Sequence, residues 1–137
     1  KYISSICMMS QKYNKNIRGI HSKNLFVKDR KSKRFYLVIL PADKKLNLEE
    51  LDKKLGDKLK FANENNLKEI LGVESGAVSP FGLINDKNNN AIVVTDNKIW
   101  NSDYVSFHPN INTETLELTK EDFHKYLNSL KNRINII

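Results

Sequence analysis

Hydrophobic positions along the chain fall into short blocks, some with strand spacing and some with helix spacing. Leu25-Phe26-Val27 reads as a strand, Asp29 to Arg34 as a turn, and Phe35-Tyr36-Leu37-Val38-Ile39-Leu40 as a second strand ended by Pro41. The short polar link makes this pair a hairpin. The second strand is a continuous apolar run, which predicts a central place in a sheet with both faces buried. Asn47 with Glu50 has capping-box spacing, Leu48, Leu51 and Leu55 form one helical stripe, and Gly56 stops it. Lys58 to Ala62 reads as a short strand. Asn63 then caps a second helix, with Leu67, Ile70 and Leu71 on one face and Gly72 as its stop. Asn85 to Asn90 reads as a turn and Ala91 to Thr95 as a strand. Asp96-Asn97 reads as a tight turn, with Lys98-Ile99-Trp100 continuing the strand beyond it. Tyr104 to Phe107 and Thr115 to Leu118 are further strands. Thr119, with Asp122 three residues on, caps a final helix whose face is Phe123, Tyr126, Leu127 and Leu130. Before Gly19 the pattern weakens: Tyr2 to Met9 fits a strand or a helix start equally, and Gln11 to Arg18 reads as a polar loop. Strands outnumber helices, so the pattern predicts a mixed α/β domain.

One stretch breaks these periodicities. Gly72 to Leu83 holds three glycines and a proline, which calls for special backbone torsions rather than a regular element. Small side chains at Ser75, Gly76, Ala77 and Ser79 leave main-chain amides and carbonyls open to a ligand. Most such loops are surface connections, but Val78, Phe81 and Leu83 would be wasted on one. The stretch is therefore expected to line a pocket.

Length changes the picture little: 137 residues fit one domain, spanning 1–137. Charge changes it more. The net charge of +7 and a pI near 9.4 favour a polyanionic partner, without separating tRNA from DNA or an anionic membrane. No apolar run approaches the roughly 18–20 residues of a membrane-spanning helix. The single cysteine, Cys7, cannot form an internal disulfide and has no partner at ligand spacing, so a reducing, cytoplasmic setting is expected and a zinc site is not. Ser75 and Ser79 stand outside any nucleophile-elbow sequence, and no Ser-His-Asp order stands out. His21 and His124 have no partner at useful spacing. His108, before a proline, is expected in extended backbone at a strand end. If the chain is a hydrolase, it is expected to need no metal and no cofactor, and to work by position and electrostatics.

Three ordered motifs carry a family resemblance. These are His21-Ser22-Lys23-Asn24-Leu25-Phe26-Val27-Lys28-Asp29, the loop Gly76-Ala77-Val78-Ser79-Pro80-Phe81-Gly82, and Phe107-His108-Pro109-Asn110-Ile111-Asn112-Thr113-Glu114-Thr115. Together they resemble the YbaK-type editing domains, which deacylate mischarged tRNA, from about Ile20 to the last helix. The resemblance implies a curved mixed β-sheet with helices packed around it. It also implies that the chain lacks an N-terminal portion, because a helix and a strand usually precede the first motif. Lys23 would contact the phosphate or ribose of the terminal adenosine, with Asn24 orienting the same group. Backbone carbonyls of Gly76, Ala77, Val78, Ser79 and Pro80 would hold the substrate ammonium, the attacking water being placed with help from the tRNA 2′-hydroxyl. Phe81, His108, Asn112 and Thr113 would belong to the aminoacyl pocket. Lys28, Arg30, Lys31, Lys33 and Arg34, otherwise a solvated basic face, would track the acceptor stem.

Pro-Phe-Gly after Ser79, with Phe-His-Pro, resembles the branch that removes alanine from proline tRNA; the cysteine-removing branch more often carries Pro-Leu-Gly. The expected activity is hydrolysis of alanyl-tRNA(Pro), by a free-standing protein or the editing domain of a prolyl-tRNA synthetase. The expected partners are the acceptor end of tRNA(Pro) and the other synthetase domains, and not a membrane. A cysteinyl-tRNA(Pro) deacylase and a catalytically inactive tRNA-binding module remain the alternatives.

Overall fold

The computed structural model describes residues 11–12, 19–31, 34–74, 78–107 and 115–137. Among them a mixed sheet runs in the order β1-β7-β6-β2-β3-β5-β8, with β4 paired to β2 beside that path. The strands are β1 (Gln11–Lys12), β2 (Ile20–Asp29), β3 (Phe35–Pro41), β4 (Leu59–Phe61), β5 (Ala91–Thr95), β6 (Tyr104–Phe107), β7 (Thr115–Thr119) and β8 (Ile134–Ile136). The sheet curls into a half-barrel with helices packed on it, as expected for this fold class.

β3 sits between β2 and β5, and strict alternation explains its uninterrupted apolar sequence. Leu37 and Ile39 face one core, with Phe26, Ala91, Val93, Leu71, Leu83 and Phe107. Tyr36, Val38 and Leu40 face the other, with Val27, Leu51, Leu59 and Val94. Helix α1 (Leu48–Leu55) covers this second face. Its cap is the expected one: Asn47 Oδ1 accepts from Glu50 N, and Gly56 closes the helix at φ 74°. α2 (Glu64–Asn66) continues through a wide π turn over Leu67–Leu71. Asn63 and Asn66 form a reciprocal capping box, and Gly72 ends the turn at φ 66°.

Three local expectations need correction, and one strand lies beyond them. Lys98-Ile99-Trp100 does not continue a strand but lies in helix α3 (Asn97–Asn101). The cause is Asp96, which is no tight-turn residue: its Oδ1 accepts from Lys98 N at 2.8 Å and caps the helix. Gln11 and Lys12 are not loop but pair with Leu116 and Thr115. Leu83 and Asn85 lie in a 3₁₀ helix, Pro80–Asn85, so the Gly/Pro stretch ends in regular structure. β8 adds a parallel edge strand after the last helix, α4 (Lys120–Ser129). Tyr2 to Met9 lie outside the described residues.

Asp96 also makes a testable electrostatic contribution. Burial pushes its pKa up, but the Lys44 ammonium at 2.7 Å and the Lys98 N–H more than offset this and hold it below 3.8. A carboxyl with a depressed folded pKa stabilises the fold above the unfolded value, near 3.9, and loses that contribution as pH falls through the folded value. Thermal melts between pH 6 and pH 2.5 should show wild type losing stability below about pH 4 more steeply than Asp96→Asn. Parallel profiles would rule the pair out as a source of acid sensitivity.

Candidate functional site

The candidate site forms where β2 changes neighbours. On the side away from β3, Ile20 and His21 pair with β6, while Val27, Lys28 and Asp29 pair with β4. Lys23, Asn24 and Leu25 lie between these two ladders and have no strand partner on that side among the described residues. The sheet therefore has a window at the first motif. The start of the window is fixed by polar contacts: Ser22 Oγ donates to Ser106 O at 2.7 Å, and Ser106 Oγ lies 3.2 Å from His21 Nδ1. Gly19 N donates to Glu117 Oε2 at 3.2 Å.

Strand parity then separates the two motif residues. Asn24 stands opposite Ile39, on the face that carries Val78, Phe81 and Leu83. Lys23 stands opposite Leu40, on the face that carries α1. The structure thus brings Asn24, and not Lys23, onto the loop's face. Lys23 is half-buried, and its ammonium has no hydrogen bond or ion pair among the described residues.

The loop is held at its end. Ser79 O accepts from Gly82 N at 3.1 Å, and Pro80 O accepts from the buried Tyr126 hydroxyl at 2.8 Å. Asn85 Nδ2 donates to Leu71 O at 2.8 Å, closing the segment onto the turn that precedes it. Gly82 packs so tightly that a Cβ there would lie 3.2 Å from Leu71 O. Phe81 lies between Phe107, at 5.8 Å edge-on, and Tyr126, at 5.5 Å. Among the described residues two buried polar atoms have no partner: Asn24 Oδ1 and Ser79 Oγ. Such atoms ordinarily cost about 1–3 kcal/mol each, and their retention fits a surface that meets a polar ligand. Beside the window, a groove of about 430 Å³ is bounded by Gly19, Ile20, His21, Ala42 and Asp43.

The aminoacyl-tRNA editing domain family matches residues 7–126. The chain belongs to that family. It is 40% identical over 116 residues to the prolyl-tRNA editing protein ProX of Acetoanaerobium sticklandii, a match covering 84% of this chain and 71% of that protein. It is 38% identical over 112 residues to mouse prolyl-tRNA synthetase associated domain-containing protein 1, covering 79% of this chain and 66% of that protein. Among solved structures, a candidate trans-editing enzyme for prolyl tRNA synthetase shares the fold at TM-score 0.64 and 17% identity, over 85% of this chain and 68% of that one.

Within this editing-domain fold the basic residues of the hairpin lie at its far end. Lys28 is half-buried, opposite Phe35 on one side and Lys60 on the other. Arg30 and Lys31 are exposed at the turn. Arg34 Nη2 pairs with Asp57 Oδ1 at 3.2 Å, and Asp57 also accepts from the Tyr36 hydroxyl. Burial first, and then that carboxylate, push the Tyr36 pKa up to about 12. Gly76, Ala77, Lys33, His108, Asn112 and Thr113 lie outside the described residues. His124, expected to lack a partner, stacks on Trp100 at 3.7 Å, and its Nε2 lies 2.7 Å from Trp100 O. Its role there is structural. Among the described residues no group of three or more His, Cys, Asp or Glu could hold a metal ion, and no helix is long and apolar enough to cross a membrane. Sequence reasoning missed Tyr126 as a loop contact: its helical periodicity marks it as core and carries no sign of a partner 46 residues away.

Proposed function

We propose that this domain hydrolyses the ester of a mischarged tRNA, removing alanine from tRNA(Pro), without a metal ion. The observation that carries this reading is the 40% identity to ProX across a segment that includes the window and the loop. The chemistry is compatible with it. An aminoacyl ester is already activated, so an oriented water and a clamped ester suffice without a protein nucleophile. Lys23 supplies a point charge for a phosphate of the terminal nucleotide, and the groove beside it gives room for a nucleoside. Main-chain carbonyls of the loop take the ammonium. Because Ser79 O and Pro80 O already accept protein hydrogen bonds, the carbonyls of Val78 and the residues before it are the better acceptors of that contact. The basic hairpin end, Lys28, Arg30, Lys31 and Lys33, meets phosphates further along the acceptor stem, with Arg34 shared with Asp57. The reaction belongs in the cytoplasm, where aminoacyl-tRNA is made and used.

A small pocket rejects a larger amino acid by steric clash, which a synthetic site cannot do for a smaller one. Alanyl-, cysteinyl- and prolyl-tRNA(Pro) assayed side by side should therefore show selective loss of the alanyl ester. Faster loss of the cysteinyl ester would move the domain to the cysteine-removing activity. Salt-sensitive tRNA binding with no turnover would make it a binding module.

A further inference from the structure

We propose that Tyr126 is a positioning residue for the loop, and that its hydroxyl sets which ester the site accepts. This rests on the deacylase reading above. Tyr126 is 1% exposed and comes from α4, 46 residues from its acceptor, Pro80 O. Proline has no N–H, so the carbonyl is the only main-chain group by which Pro80 can be held. The tyrosine ring also packs on Phe81, which in turn packs on Phe107. Phe107 rests on Phe123 of the same helix, at 5.4 Å. One helix thus holds the loop end twice, through a hydrogen bond to Pro80 and through an aromatic stack under Phe81.

The carbonyls of Ser79 and Pro80 are both turned to protein donors. The Tyr126 bond ties this end of the loop to α4, a distant element. Without the hydroxyl, phenylalanine fills the same space, but the Pro80 carbonyl loses its donor from α4 and is held only by its own 3₁₀ turn. The wall formed by Phe81 then shifts, and pocket size is the property on which ester selectivity depends.

The test compares Tyr126→Phe with wild type on alanyl- and cysteinyl-tRNA(Pro), with folding followed by circular dichroism. Tyr36→Phe is the control. It removes another buried tyrosine hydroxyl, one bonded to Asp57 on the other face of the sheet. Loss of folded protein lowers turnover of both esters equally and leaves their ratio unchanged. The expected result for Tyr126→Phe is a kcat/KM ratio between the esters altered roughly 3- to 10-fold, the span of one buried neutral hydrogen bond. The change is expected in kcat, with KM for tRNA within about twofold, because phosphate contacts made elsewhere dominate tRNA affinity. Tyr36→Phe should leave the ratio at the wild-type value. An unchanged ratio in Tyr126→Phe, an equal change in both variants, or failure of Tyr126→Phe to fold would overturn the proposal. A wild-type protein that hydrolyses neither ester would remove the deacylase reading itself, and the proposal with it.

Discussion

Replacing Lys23 by alanine is expected to lower kcat/KM for alanyl-tRNA(Pro) by roughly 10- to 100-fold while leaving the fold intact. The expectation comes from the lysine's surroundings. Lys23 is half-buried in the window between the β6 and β4 ladders, and its ammonium has no counter-ion among the described residues. Among the described residues that charge makes no ion pair that truncation would break, so the loss of stability should be small. A charge-assisted contact to a phosphate contributes about 1.5–3 kcal/mol, and 1.4 kcal/mol corresponds to tenfold. Lys23→Arg keeps the charge but changes the geometry, and should retain part of the activity. Kinetics and melts on the same samples check both points. Full turnover by a folded Lys23→Ala protein would remove Lys23 from the mechanism.

Gly19→Ala is expected to be the most destabilising small substitution in the described chain. A Cβ at Gly19 would lie 2.1 Å from Tyr104 O and 2.3 Å from Tyr104 C. Both atoms are backbone and cannot rotate away. The start of β2 would have to part from β6, to which it is joined by only two residue pairs, Ile20 with Val105 and His21 with Ser106. The Gly19 N–H bond to buried Glu117 would be strained at the same time. Overpacking costs about 1–3 kcal/mol, and a clash with two backbone atoms belongs at the upper end, which for a domain of this size is roughly a 10 °C fall in Tm. Because this junction sets one edge of the window, turnover should fall even below the melting transition. Gly56→Ala is a useful comparison: nothing lies within 4 Å of its Cβ, and only the left-handed φ of 74° is disturbed, so the cost should stay near 1 kcal/mol. A Gly19→Ala protein melting within a degree or two of wild type would contradict the close approach.

The parts of the fold decided locally were legible in the sequence. Asn47, Asn63 and Thr119 each accept from the N–H three residues on, and Gly56 and Gly72 end their helices at positive φ. The two-faced burial of β3 could be read from its unbroken apolar run. Elements that depend on one distant or marginal contact were not legible. Ile99 and Trp100 have strand propensity, yet the Asp96 side chain, itself held by Lys44, starts a helix there. β8 is three residues long and exists because β5 offers it an edge.

The candidate site divides in the same way. The Gly/Pro loop and the Lys23-Asn24 pair stand out as residue types. That Asn24 shares the loop's face and Lys23 does not follows from strand parity only once the β2–β3 register is known. The Tyr126–Pro80 bond joins positions that no local pattern connects.

The proposed activity is hydrolysis of a mischarged tRNA through position rather than through a metal. Its most direct test is a single-turnover measurement of alanyl-tRNA(Pro) deacylation, with protein in excess, in the presence and absence of a strong chelator. The expected result is first-order loss of the ester far above the buffer rate, with the same rate constant whether or not chelator is added. Ester loss at the buffer rate would contradict the assignment as a deacylase, and loss abolished by the chelator would contradict the metal-free mechanism.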